Sequence, residues 1–108
     1  MGPFILTVST IDAVVTANSP GIFLLGQTNQ NEAFQVACVG RADKDLNAAL
    51  KQYVTLYSEF QFEYCSSVKD AFEKECGLYH TFRPSANSAH PLRPKGFYLR
   101  CPGCLLFG

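Results

Sequence analysis

The stretch from Ser66 to Phe82 constrains this chain most, because it reads as one helix carrying an acid on its inward face. Ser67 is placed to cap the first turn, with Asp70 where a reciprocal capping acid sits. Val68, Ala71, Phe72, Tyr79 and Phe82 recur at helical spacing and make the apolar stripe that must face a core. Glu75 falls on that stripe, whereas Lys69, Glu73 and Lys74 take the opposite face. A carboxylate directed inward needs a partner, a metal ion or a wet cleft, since unpaired burial costs several kcal/mol or shifts its pKa. The alternative is a glutamate at the edge of the stripe that reaches out to water.

The remaining segments predict an α+β domain. Ile22 to Leu25 is a short apolar run of buried-strand type, Gly26 to Glu32 is turn-forming, and Ala33 to Val39 resumes as a second strand ended by Gly40. Asp43 or Asp45 can start a helix with Leu46, Leu50, Tyr53 and Val54 on one face. From Glu59 to Cys65 the pattern alternates, with Phe60, Phe62 and Tyr64 on one side, as in a half-buried strand. The expected order is β-β-α-β-α, a small three-stranded antiparallel sheet flanked by helices. Residues 1–20 read as an N-terminal extension, where Thr10 to Ala17 suits a helical turn and Val14-Val15-Thr16 suits a strand equally well. Residues 83–108 read as a basic, cysteine-containing tail packed on the domain.

At 108 residues the chain is long enough for one core and too short for two, and 47% hydrophobic residues argue against disorder. Net charge is zero, which excludes the global basic field carried by many strong nucleic-acid binders. The charges are unevenly placed, however. After Glu75 there is no Asp or Glu, while Arg83, Arg93, Lys95 and Arg100 follow, with His80 and His90 among them. Such a segment marks either a phosphate-facing edge or a solvated tail. Phe4-Ile5-Leu6 is too short for a signal-peptide core, and no run approaches membrane-spanning length. Five cysteines without a secretory signal point to reduced thiols in a cytoplasm.

Gly21-Ile22-Phe23, a hairpin loop, and then Ala37-Cys38-Val39-Gly40 resemble the paired signature of the GIY-YIG nuclease superfamily. Asp45 to Leu50 sits where that family has its first helix, Ala71 to His80 is similar to its metal-binding helix, and Asn87 with His90-Pro91 resembles the segment that closes the site. The resemblance implies single-metal hydrolysis of a nucleic-acid phosphodiester. A Tyr in each half of the signature would lie near the attacking water, an Arg on the first helix would stabilise phosphate charge, and a Glu on the later helix would hold Mg²⁺ or Mn²⁺.

Here Glu75 matches the metal ligand, but the two tyrosine positions hold Phe23 and Cys38, and the arginine position falls on Ala49. The expectation is therefore a degenerate site that binds nucleic acid or phosphate weakly, with little or no hydrolysis. Arg41, Arg83, Asn87, Arg93 and Lys95 are the candidate nucleic-acid contacts. One alternative is an active divalent-metal-dependent endonuclease with relocated groups, where Arg41 supplies charge and Tyr64, Tyr79 or His80 moves the proton. Another is a protein-interaction module that kept only the fold. Cys101-Pro102-Gly103-Cys104 has zinc-ligand spacing, with His90, His80, Cys76 and Cys65 as candidates to complete a Zn²⁺ site, against free thiols packed as small hydrophobes.

Overall fold

The computed structural model describes residues 2–84 together with Ala86 and Pro91. Strands β1 (Phe4–Ile5), β2 (Gly21–Thr28), β3 (Phe34–Ala42) and β4 (Glu59–Tyr64) form one antiparallel sheet in the order β1-β4-β2-β3. Helices α1 (Val8–Val14), α2 (Leu46–Lys51) and α3 (Val68–Phe82) complete the α+β fold. From Gly21 onward the element order is the expected β-β-α-β-α. The sheet has four strands rather than three, because β1 pairs with β4 through only two residues, too few to leave an alternating pattern in the sequence. Residues before Gly21 are built into the core: Leu6, Ile11 and Val15 are buried in it.

The hairpin strands run further than their apolar segments suggested. β3 continues through Gly40 to Ala42, paired with β2 down to Gly21. Gly40 is required for packing rather than for stopping the strand, since a Cβ there would lie 2.2 Å from Cζ of Phe23. Phe23 lays its ring across that bare backbone and is 2% exposed.

Register assigns the two faces of the sheet. Phe23 and Leu25 of β2 pair with Gly40 and Cys38 of β3 and with Phe62 and Phe60 of β4, so all six lie on one face. Leu46 and Leu50 of α2 and Ile11 of α1 close that face into a single apolar cluster. Ile22 and Leu24, with their partners Arg41 and Val39, point the opposite way, towards the α3 side, where Ile22 packs with Cys65 and Ala71.

Helix α3 forms as its sequence directs. The Ser67 hydroxyl accepts from the Asp70 amide, and the Asp70 carboxylate accepts in return from the amide of Ser66. Ala71, Phe72, Glu75 and Cys76 are its buried residues. Phe82, expected on the inward stripe, is 46% exposed, because the helix ends there and Arg83 turns into the left-handed region at φ 47°. The Arg83 amide closes that end on the Tyr79 carbonyl.

Candidate functional site

Strand β3 and helix α3 bring the inward acid and an inward cation together. Arg41 has the parity of Val39, so it leaves the sheet on the side that α3 covers. Its Nη1 donates to Glu75 Oε1 at 2.8 Å and its Nε to Asp43 Oδ1 at 2.7 Å. The guanidinium carbon lies 5.3 Å from the centroid of the Phe72 ring, one helical turn before Glu75. Arg41 and Glu75 side chains are each 11% exposed, whereas Asp43 is largely open to water.

Burial dominates the electrostatics of this group. It pushes the Glu75 carboxyl up to about 7, against the attraction of Arg41, which pulls in the opposite direction. Cys38 lies near enough for the Glu75 charge to add to the upward shift that burial imposes on its thiol. Burial likewise raises the phenols of Tyr53 and Tyr57, and Tyr57 is hydrogen-bonded to Cys38. The Tyr53 ring stands 5.5 Å from that of Phe23.

The residues singled out by the resemblance thus divide into two groups. Phe23, Cys38 and Ala49 belong to the apolar cluster under α1 and α2, where Phe23 is fully buried and the other two are half-buried against it. Glu75 belongs to the α3 side, and its carboxylate is already occupied. A solvated Arg41 is one of the expectations that the structure corrects: its alternation with Val39 turns it inward instead of outward.

A divalent ion does not fit the donor set as placed. Glu75 and Asp43 share a single guanidinium, so a metal would have to displace Arg41 and leave a buried cation without its acid. Among the described residues no three His, Cys, Asp or Glu side chains converge in a way that could hold a metal ion.

Other candidates have structural duties. The Tyr64 hydroxyl accepts from the amides of Thr16 and Ala17 and clamps the segment after α1 to β4. Cys65 and Cys76 are buried, and burial pushes the Cys65 thiol up to about 11, far from a reactive thiolate at neutral pH. Tyr79 and His80 lie on the last turns of α3, their rings edge-to-face at 5.3 Å. Arg83 is exposed at the end of that helix. Asn87, His90, Arg93, Lys95, Arg100, Cys101 and Cys104 lie outside the described residues.

Tyr53 and Tyr57 beside Cys38 were not legible as neighbours of the Glu75 charge, because the turn after α2 that carries Tyr57 has no periodicity. The pairing of Arg41 with Glu75 did leave a signal: each is an inward charge on an otherwise apolar register, and inward charges of opposite sign find one another.

Comparison with protein-family models, with curated proteins and with solved structures returns no match. Among the described residues, no helix is long and apolar enough to cross a membrane.

Proposed function

We propose that this chain is a GIY-YIG-like domain with a degenerate site, which binds nucleic acid through phosphate contacts and does not hydrolyse it at enzymatic rates. The observation that carries this reading is the state of Glu75. Its carboxylate neutralises Arg41 instead of standing free for a divalent ion. The positions where the family's chemistry needs hydroxyls and a cation hold the Phe23 ring, the Cys38 thiol and the Ala49 methyl, all packed against the core. Loss of one transition-state stabiliser typically costs about 100- to 1000-fold, and here three such groups are missing.

Phosphate contact is assigned to the acid-free C-terminal third, with Arg83, Arg93 and Lys95 as its cations and Asn87 as a polar contact. Arg41 drops out of that set, because both of its carboxylate partners already balance it. The same neutralisation, with zero net charge, favours a second reading in which the domain kept its fold to bind protein.

Two measurements decide between these readings. Supercoiled plasmid incubated with Mg²⁺ or Mn²⁺ should stay un-nicked; metal-dependent nicking abolished by Glu75→Ala would restore the active endonuclease. Binding of labelled DNA and RNA should fall steeply with salt, as counterion release requires. Undetectable binding at low salt leaves the protein-binding reading.

A further inference from the structure

An open groove of about 770 Å³ lies between the far half of the β2–β3 hairpin and the turn that follows α2. It begins where the ladder is irregular. Leu25 pairs with Cys38 but Gly26 pairs with Val36, so Ala37 is an extra residue in β3. Such a bulge bends its strand and sharpens the local twist. Gly26 is the only residue type that fits opposite it, since a Cβ would stand 1.8 Å from the Gln35 carbonyl oxygen. Beyond this point β2 leaves the core, and Gln27 and Thr28 are exposed.

The groove has a definite chemistry. Gln27 and Gln35 are direct cross-strand partners, so their amides stand side by side on one wall. Tyr57, Leu56 and Thr55 form the facing wall, and Leu56 is 65% exposed although nothing polar requires it there. The hydrogen bond from Tyr57 to Cys38 fixes the phenol and leaves the ring to the groove. Among the described lining residues none carries a formal charge. A phosphate or carboxylate would find no cation here, and a purely apolar ligand would strand two amides. A flat, neutral ring with donors and acceptors on its edge satisfies both walls.

A second observation ties the groove to the cationic end of the chain. The Ala86 amide donates to the Ala37 carbonyl at 3.0 Å, so the segment bearing Arg93, Lys95 and Arg100 departs from the groove's own wall. Arg93 follows seven residues later, a reach of at most about 25 Å. Cations therefore originate within a few nucleotides' length of a neutral amide-and-aromatic groove.

We propose that this groove is a nucleobase subsite for single-stranded nucleic acid, with the Tyr57 ring as stacking platform and the Gln27 and Gln35 amides reading the edge of the base. The inference rests on the nucleic-acid reading above and deepens it: phosphates are held by the basic segment, bases by the groove. Recognition of this type depends on unstacked bases, so duplex should bind more weakly than single strands of the same length.

The test uses the full chain and fluorescently labelled homopolymers (dA, dT, rA and rU), titrated at several salt concentrations, with circular dichroism to verify folding of every variant. Gln27→Ala with Gln35→Ala should narrow the spread of affinities among homopolymers and weaken the preferred one about 5- to 20-fold. The salt slope should stay unchanged, because no phosphate contact is lost. Tyr57→Leu should weaken all homopolymers about 5- to 100-fold, whereas Tyr57→Phe should keep their binding. Arg93→Ala with Lys95→Ala should instead lower the salt slope. If the amide variant and Tyr57→Leu bind like the unmodified chain while the Arg93/Lys95 variant does not, the groove proposal is overturned and the nucleic-acid reading stands. If no homopolymer binds even at low salt, both fall. Side-chain amide resonances of Gln27 and Gln35 should shift with the preferred homopolymer; shifts only with a capped peptide of alternating valine and threonine would also overturn the proposal.

Discussion

The two faces of the sheet are held by different physics. Under α1 and α2 the cover is apolar throughout: Phe23, Phe60, Phe62, Leu25, Leu46 and Leu50 are buried with no charge among them. Under α3 the buried apolar group is small, namely Ile22, Cys65 and Ala71, and beside it lies an ion pair. The first face gains from every methylene removed from water, at about 25 cal/mol per Å². The second gains little from its charges in total, since desolvation offsets most of their attraction, but it loses heavily if one charge goes without the other. What this contrast teaches is that Phe23 and Cys38 have become ordinary core on the first face, while Glu75 and Arg41 hold a specific docking of α3 on the second.

Breaking the apolar face should produce the largest effect. Phe60 is wholly buried at the centre of β4, against Phe4 and Phe62. Phe60→Ala should cost about 3–5 kcal/mol, read from the shift of the urea midpoint at constant slope. For a chain of this size that is a large fraction of the whole stability.

The charged face should respond asymmetrically. Arg41→Met strands Glu75 in a buried position, at a cost of about 2–4 kcal/mol, reduced because the acid can take up a proton. Arg41→Met combined with Glu75→Leu should recover to within about 1 kcal/mol of the unmodified chain, as Phe72 already offers the pair an apolar neighbour. A double variant no more stable than Arg41→Met would mean that the seam relies on the cation itself.

Titration sharpens the same comparison. Burial puts the Glu75 carboxyl at about 7 in the folded chain, against about 4.3 for an unfolded glutamate. The folded state therefore binds this proton more tightly. The resulting stability is complete below pH ~4.3 and is lost as pH rises through about 7, a change of ~1–3 kcal/mol. Stability measured from pH 8 down to pH 5 should rise, and Glu75→Gln should flatten the profile. Asp12, whose carboxyl is lowered by its hydrogen bonds to Lys51 and Asn47, acts only in a more acidic window.

How far the sequence disclosed this arrangement depends on periodicity. The hairpin, β4 and α3 repeat their patterns over enough residues to be recognised, and Glu75 was conspicuous as the one acid on an inward stripe. β1 has two residues and α1 has seven, so neither writes a full period. Glycine misled in one place. Gly40 reads as a strand end, but its purpose depends on the Phe23 ring across the ladder, a contact that no local window contains. Arg41 reads as an exposed strand end for the same reason: once β3 is known to continue to Ala42, its parity puts it beneath α3. The groove was least legible, since a bulge and an aperiodic turn make it.

The smallest effect should come from the other ion pair that joins α3 to the sheet. Lys74 Nζ contacts the Glu63 carboxylate, with Asp70 one turn away at 3.9 Å. In sequence separation, partner type and location it parallels Arg41 and Glu75, but its side chains are 39% and 55% exposed. Water competes for both charges, salt screens them, and ordering two long side chains costs entropy, so the net value is about 0–1 kcal/mol. Lys74→Ala should lower stability by no more than that, and the small loss should shrink further at high salt, where Arg41→Met keeps nearly its full cost. If the two variants showed equal losses and equal salt sensitivity, burial would not be what separates them. The interior pair would then have to be as wet as the exterior one, contrary to the depth at which Glu75 lies.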